Sequence, residues 1–435
     1  MRKQFVELDQ IQIVVDGFNK LYKRMIDSGK IEAADMKNFM ESYFEKAGYR
    51  EKIKSTKNIL IIHDSGVGDF IVMSAVIREI RRIYSRSHIT LLVDDTVLSM
   101  AENCPYIDKL IDYPLYFNDI KKFSEFYQNI IKIAVNLLGR RLDIVFNFGH
   151  YPGSQLLSYM CGAKERIFPY TFTNFNAGLS MNLFSSFATF ISQADQNKIH
   201  DNEMMLEVLS NYSNKKIHNK NLEIWLSPSD HFKAELHLQR VSNKKLYAII
   251  MSGNVNLKRK RWSPKNYAAL CNMILNDESD SIFVILGGAE DIKNADEFQS
   301  LVDNSHLINL TGKLNYRQSA AVLSYCDCYI GNDTGLMHAA AALNIPILTP
   351  NCFAADLNLT NDSFLTRFYP YNVPSVIVRP EKSLDDCAEN PRSDTGCNAD
   401  HSHCIDQISP EKMFEGLKLL NEQIKKSAKE PIFLV

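Results

Sequence analysis

YIGNDTGLMHAAAALNIPILT, residues 329–349, decides the fold. The apolar run Asp327-Cys328-Tyr329-Ile330-Gly331 stops at Asn332-Asp333-Thr334-Gly335. Leu336 to Leu343 then predicts a helix, because alanine and leucine are its best formers. Asn344 and Pro346 close that helix and open a second apolar strand at Ile347-Leu348. Strand, polar turn, helix and strand make one βαβ unit. In open α/β sheets ligands bind at turns that follow the carboxyl ends of strands. Asp333 or Thr334 can cap the helix, and Gly335 lets a ligand approach the backbone closely. Such a helix start offers free N–H groups and a partial positive charge, which suit a phosphate; a well-capped core helix is the plainer alternative.

A chain of 435 residues is too long for one hydrophobic core and predicts two domains. Hydrophobic content of 45% and charged content of 23% are those of an ordinary globular protein. A formal net charge of -2 gives no electrostatic reason to expect a nucleic-acid partner. No apolar run approaches the length of a membrane span, and the amino terminus lacks a signal-peptide core. The nine cysteines are scattered, with Cys326 and Cys328 inside an apolar strand, which suits a reducing compartment. A cytoplasmic location follows as the expectation, and contact with the inner face of the membrane needs no anchor.

Residues 1–54 precede the first strand. Ile11, Val14, Val15, Phe18, Leu21 and Tyr22 keep helical spacing, as do Met36, Phe39, Met40, Tyr43 and Phe44 after a break at Asp27-Ser28-Gly29. They predict an amphipathic helical hairpin, either a packing cap or an interaction module. Asn58 to His63 (NILIIH) is a buried strand of the parallel type, followed by the turn Asp64-Ser65-Gly66-Val67-Gly68-Asp69 and a helix over Phe70–Tyr84. Further strands fall at 89–93, 109–111, 144–147 and 166–168. The composition turns polar near 212–243, the expected connection. Strands then restart at 246–250, 281–286, 307–310, 328–330 and 345–348, and a last helix runs from Pro410 to Ile424 with Ser409 as its cap. The organisation predicted is a helical extension over 1–54 and two Rossmann-like doubly wound α/β domains over 55–215 and 216–435, facing a cleft.

Several of the turns carry candidate chemistry. DSGVGD has Gly-x-Gly after a strand but lacks the third glycine of a dinucleotide fingerprint, where Ile71 stands; Asp94 or Asp95 is a weak ribose-binding candidate. Asp69 is either a plain charge at a helix start or a general base. Met251-Ser252-Gly253-Asn254 ends a strand and leads into Lys258-Arg259-Lys260-Arg261-Trp262, ahead of a helix started by Ser263-Pro264. That cationic cluster is either a solvated loop or a holder for a leaving diphosphate. Glu290, after Leu286-Gly287-Gly288-Ala289, can hold a sugar hydroxyl or simply begin an acidic helix.

With these residues in place, ILIIHDSGVGDFIVMSAVIREIRRIY, KRKRWSPKNYAALC, FVILGGAED and LTGKLNYRQSAAVLSYCDCYIGNDTGLMHAAAALNIPIL together resemble the bacterial heptosyltransferases of glycosyltransferase family 9. The match runs over 57–420 and leaves the first 54 residues uncovered. The resemblance implies a GT-B fold and an inverting, metal-independent transfer of heptose from ADP-heptose to a lipopolysaccharide core sugar or a protein hydroxyl. It makes Asp69 the catalytic carboxylate and Lys260 the lysine on the donor diphosphate, with the neighbouring basic residues blurring that assignment by a position or two. Gly68, Ser252, Glu290, Asp333, Thr334, Gly335 and His338 become donor-binding residues. Ser263-Pro264 departs from the family's usual Trp-Pro. No Asp-x-Asp metal motif is present; Asp94-Asp95 and Asp385-Asp386 are adjacent pairs.

Cys387, Cys397 and Cys404 cluster in a polar loop, and Cys352 follows the strand after NDTG. Four thiols, or three with His401 or His403, suit a structural zinc or iron, and protein-modifying members of the family carry an iron-binding cysteine motif. Catalysis itself is expected to need no cofactor. The partners expected are a nucleotide-sugar donor and a glycan or protein acceptor. The alternatives are a family member using another nucleotide sugar, an epimerase on a similar scaffold, and a non-catalytic nucleotide-sugar-binding or scaffold protein.

Overall fold

A computed structural model describes residues 56–112, 130, 132–134, 136–149, 152–169, 188–192, 199–241, 243–253, 260–356, 364–384 and 403–435. The expected amino-terminal hairpin, His150, Cys387 and Cys397 lie outside the described residues.

The chain forms two compact units. The first holds six strands: β1 (Asn58–His63), β2 (His88–Val93), β3 (Lys109–Asp112), β4 (Ile144–Asn147), β5 (Glu165–Phe168) and β6 (Phe190–Ile191). They lie side by side as β3-β2-β1-β4-β5-β6, parallel throughout. Ile59 to Ile62 are wholly buried, as a strand covered on both faces demands. The second unit holds β7 (Leu246–Ile250), β8 (Ile282–Leu286), β9 (Leu307–Asn309), β10 (Cys328–Gly331), β11 (Ile347–Pro350), β12 (Ser375–Val378) and β13 (Ile432–Leu434). Their order, β13-β12-β11-β10-β7-β8-β9, is again parallel and repeats the first unit's plan with one strand added. In each sheet the order reverses beside the unit's first strand, at β1/β4 and at β7/β10. That reversal is the topological switch point of a doubly wound sheet.

The helices that matter are α1 (Val67–Val72), α2 (Ser74–Ile83), α3 (Asp201–Ser213), α4 (Pro228–Leu238), α5 (Pro264–Asp277), α6 (Tyr316–Leu323), α7 (Gly335–Ala342), α8 (Phe364–Arg367) and α9 (Pro410–Lys425). The single helix expected over Phe70–Tyr84 is instead two. Ser74 Oγ donates to the Ile71 carbonyl at 2.6 Å and accepts the Glu223 N–H at 2.8 Å, so its hydroxyl competes with the helical ladder at the break. Residues 67–75, α1 among them, pack with the second unit although they follow β1. Ser263 and Ser409 cap α5 and α9 as expected, each accepting an N–H three residues on and each followed by proline. The α9 face that carries Met413, Leu417 and Leu420 is buried in the second unit's core, and Gly416 brings the helix close to Leu348, Val376 and Val378 of the sheet.

Candidate active site

At the switch point of the second unit, β10 is followed by Asn332, whose side chain is fully buried. Its Oδ1 accepts the Trp262 N–H (3.1 Å) and the Tyr267 hydroxyl (2.8 Å). Its Nδ2 donates to the carbonyls of Met251 (2.9 Å) and Ser252 (3.1 Å). One amide thus ties together the end of β7, the turn before α5 and the end of β10. Trp262 is anchored further by its Nε1–H on the Ile408 carbonyl at 2.9 Å. Lys260, two residues earlier, is thereby held at the rim. Its ammonium lies 3.1 Å from Asp333 Oδ2, with both side chains mostly buried.

Arg261 braces the same rim. Its guanidinium donates to the Gly253 carbonyl at 2.5 Å and lies 3.5 Å from Asp291. Asp291 in turn accepts the Gly288 N–H at 3.0 Å, and burial raises its pKa. Glu290 is exposed and folds back over Gly288. Three strand-end turns, 251–253, 287–291 and 332–335, are therefore pinned by side chains rather than left as loose loops.

Thr334 is the N-cap of α7, and its side chain makes no capping hydrogen bond. The first-turn N–H groups keep their directed positive charge. Asp333, Thr334 and Gly335 are half-buried, so the helix start is covered only in part. The cover comes from α1. A Cβ placed on Gly68 would lie 3.0 Å from His338 Cδ2 and 3.3 Å from Gly335 Cα, an approach that glycine at both positions permits. Asp69, half-buried, follows at once in the first turn of α1. His338 is buried, burial lowers its pKa and keeps the imidazole neutral, and its Nδ1 has no hydrogen-bond partner among the described residues.

The expected site residues thus fall into groups. Ser252, Lys260, Asp333, Thr334, Gly335 and His338 share one rim, and Gly68 with Asp69 joins it through α1. Arg261 belonged to the cationic cluster weighed as a diphosphate holder, whereas Asn332, Asp291 and Tyr316 were not singled out by sequence reasoning; only the adjacency of Asn332 to Asp333 hints at the first of them. Asp94, weighed as a ribose-binding acid, caps the turn that follows β2 by accepting from Thr96 N and Oγ1. Of the cysteines expected at a metal, Cys404 accepts the Leu384 N–H at 3.4 Å and lies 3.4 Å from His403 Nδ1. Cys352 packs beside the core of the second unit. Among the described residues no three His, Cys, Asp or Glu side chains form a metal-ligating group.

The sequence model described as "Glycosyltransferase family 9 (heptosyltransferase)" matches residues 130–350. The chain belongs to this family. A stretch of 92 residues is 33% identical to lipopolysaccharide heptosyltransferase 2 of Escherichia coli (strain K12), covering 20% of this chain and 26% of that protein. The aligned stretch therefore spans about a quarter of the curated relatives' length. The crystal structure of the family 9 glycosyl transferase from Veillonella parvula DSM 2008 superposes with a TM-score of 0.68 at 18% identity, covering 86% of this chain and all (100%) of that one. The structure of the E. coli ADP-heptose LPS heptosyltransferase II gives a TM-score of 0.62 at 16% identity, covering 85% and 99%. The two Rossmann-like units are those of the family's GT-B α/β fold. No described helix is long and apolar enough to cross a membrane.

Proposed function

We propose that the protein is an inverting glycosyltransferase that moves heptose from ADP-heptose to a hydroxyl of a lipopolysaccharide core sugar or of a protein. The observation that supports this is the close packing of Gly68, the residue before Asp69, against Gly335 and His338 at the start of α7. Membership of family 9 supports the donor class. Asp69 takes the acceptor's proton while the acceptor oxygen forms its bond to the anomeric carbon from the face opposite the leaving group. The bond from that carbon to the diphosphate oxygen breaks, and its electron pair leaves with the nucleoside diphosphate. Lys260 and the N–H groups of Thr334 and Gly335 stabilise the charge that gathers there. Since Asp333 already engages Lys260, the incoming diphosphate competes with that carboxylate for the ammonium. Ser252 and Glu290 complete the donor side.

Charge stabilisation by protein groups assigns no catalytic task to a metal. A structural iron or zinc on Cys352, Cys387, Cys397 and Cys404 belongs to the same proposal; elemental analysis of the purified protein showing neither metal contradicts it. The reaction is assigned to the cytoplasm, at the inner membrane face where the acceptor is lipid-linked. Asp69→Asn tests the catalytic assignment: transfer should fall by about 10²–10⁴-fold while ADP still binds. Full activity in that variant removes Asp69 as the base.

A further inference from the structure

Tyr316 opens α6, whose first turn is fixed by a reciprocal Asn315–Gln318 cap and by the ion pair of Arg317 with Asp230 at 2.8 Å. Its phenol reaches across to α7, where a Cβ built on Gly335 would collide with the hydroxyl and lie 3.2 Å from the Gly68 nitrogen. The hydroxyl therefore lies against the first residue of α7, in the turn whose N–H groups have no partner within the helix. It is buried, and it has no hydrogen-bond partner among the described residues. Burial holds the phenol far above its ordinary pKa, which makes it a neutral O–H. A buried hydroxyl left unpartnered is destabilising, and native structures rarely keep such groups without a reason.

We propose that Tyr316 donates its O–H to a phosphate oxygen of the donor's diphosphate, as a third holder beside Lys260 and the start of α7. The inference rests on the donor reading above. A neutral donor aimed at an anionic oxygen makes a charge-assisted hydrogen bond, stronger than one between neutral groups. The hydroxyl lies beside Gly335 at the start of α7, where the backbone nitrogen of Gly68 also approaches.

Tyr316→Phe removes the oxygen and nothing else. Its melting temperature without nucleotide should equal or exceed that of the wild type, because no bond within the protein is lost. Calorimetric titration should show ADP bound about tenfold more weakly, with adenosine binding unchanged. Equal ADP affinity in the two proteins overturns the proposal. So does a melting temperature lowered by several degrees, which would reveal a partner inside the protein. Failure of ADP to bind even the wild type is a different result: it contradicts the transferase reading itself, and this inference with it.

Discussion

Asn332 uses both ends of its amide, and a single-atom change shows how much rests on it. In Asn332→Asp the oxygen that replaces Nδ2 faces the carbonyls of Met251 and Ser252, which now lack their donor. A loss of about 3 kcal/mol is expected, read as a lower urea midpoint, together with weaker nucleotide binding as Lys260 shifts. An unchanged midpoint would show that the two carbonyls are satisfied in some other way. Sequence reasoning found Asp333, Thr334 and Gly335 because turn and cap chemistry is local. It passed over Asn332 because the partners of that amide lie 65 to 81 residues away. Tyr316 was invisible for a related reason: as the first residue of a capped helix it looks like surface, and only the fold brings its hydroxyl to Gly335.

Among the elements, α8 holds the start of α3 through one buried ion pair. Arg367 donates from Nε and Nη2 to the two oxygens of Asp201, at 2.8 and 2.9 Å, with both residues buried. Next to Asp201, His200 Nε2 lies 3.0 Å from the Tyr369 carbonyl, and the ring packs edge-on against Tyr369. Arg367→Ala strands a carboxylate away from water and should cost about 3–5 kcal/mol in a chemical denaturation series. A cost below about 1 kcal/mol would mean that water reaches Asp201. The strand ladder was legible because its central members are continuous apolar runs punctuated by turns. The two-residue β6, β12 behind Pro374 and the edge strand β13 were not, since short runs at a sheet margin carry little pattern. The break between α1 and α2 escaped notice as well. It depends on Ser74 bonding to Glu223, which helical periodicity cannot register.

Across the whole molecule, buried neutral histidines tie stability to pH. Burial lowers the pKa of His63 and of His200 from 6.5 to about 3. Between those values the unfolded chain takes up protons that the folded chain refuses, so stability is full above pH 6.5 and falls as the pH drops toward 3. Each such histidine contributes a slope of about 1.4 kcal/mol per pH unit within that window. Urea midpoints should therefore decline from pH 7.5 to 5.5, above the range where carboxylates titrate, and decline less in His200→Gln. A midpoint that rises on acidification has the wrong sign for this account. The central claim is that the switch point of the second unit is a nucleoside-diphosphate cradle completed by Lys260. Thermal melts with ADP, UDP, GDP and CMP test it most directly. ADP at about 100 times its dissociation constant should raise the wild-type melting temperature by about 5 °C and leave Lys260→Ala little changed, whereas no shift with any of the four nucleotides would contradict it.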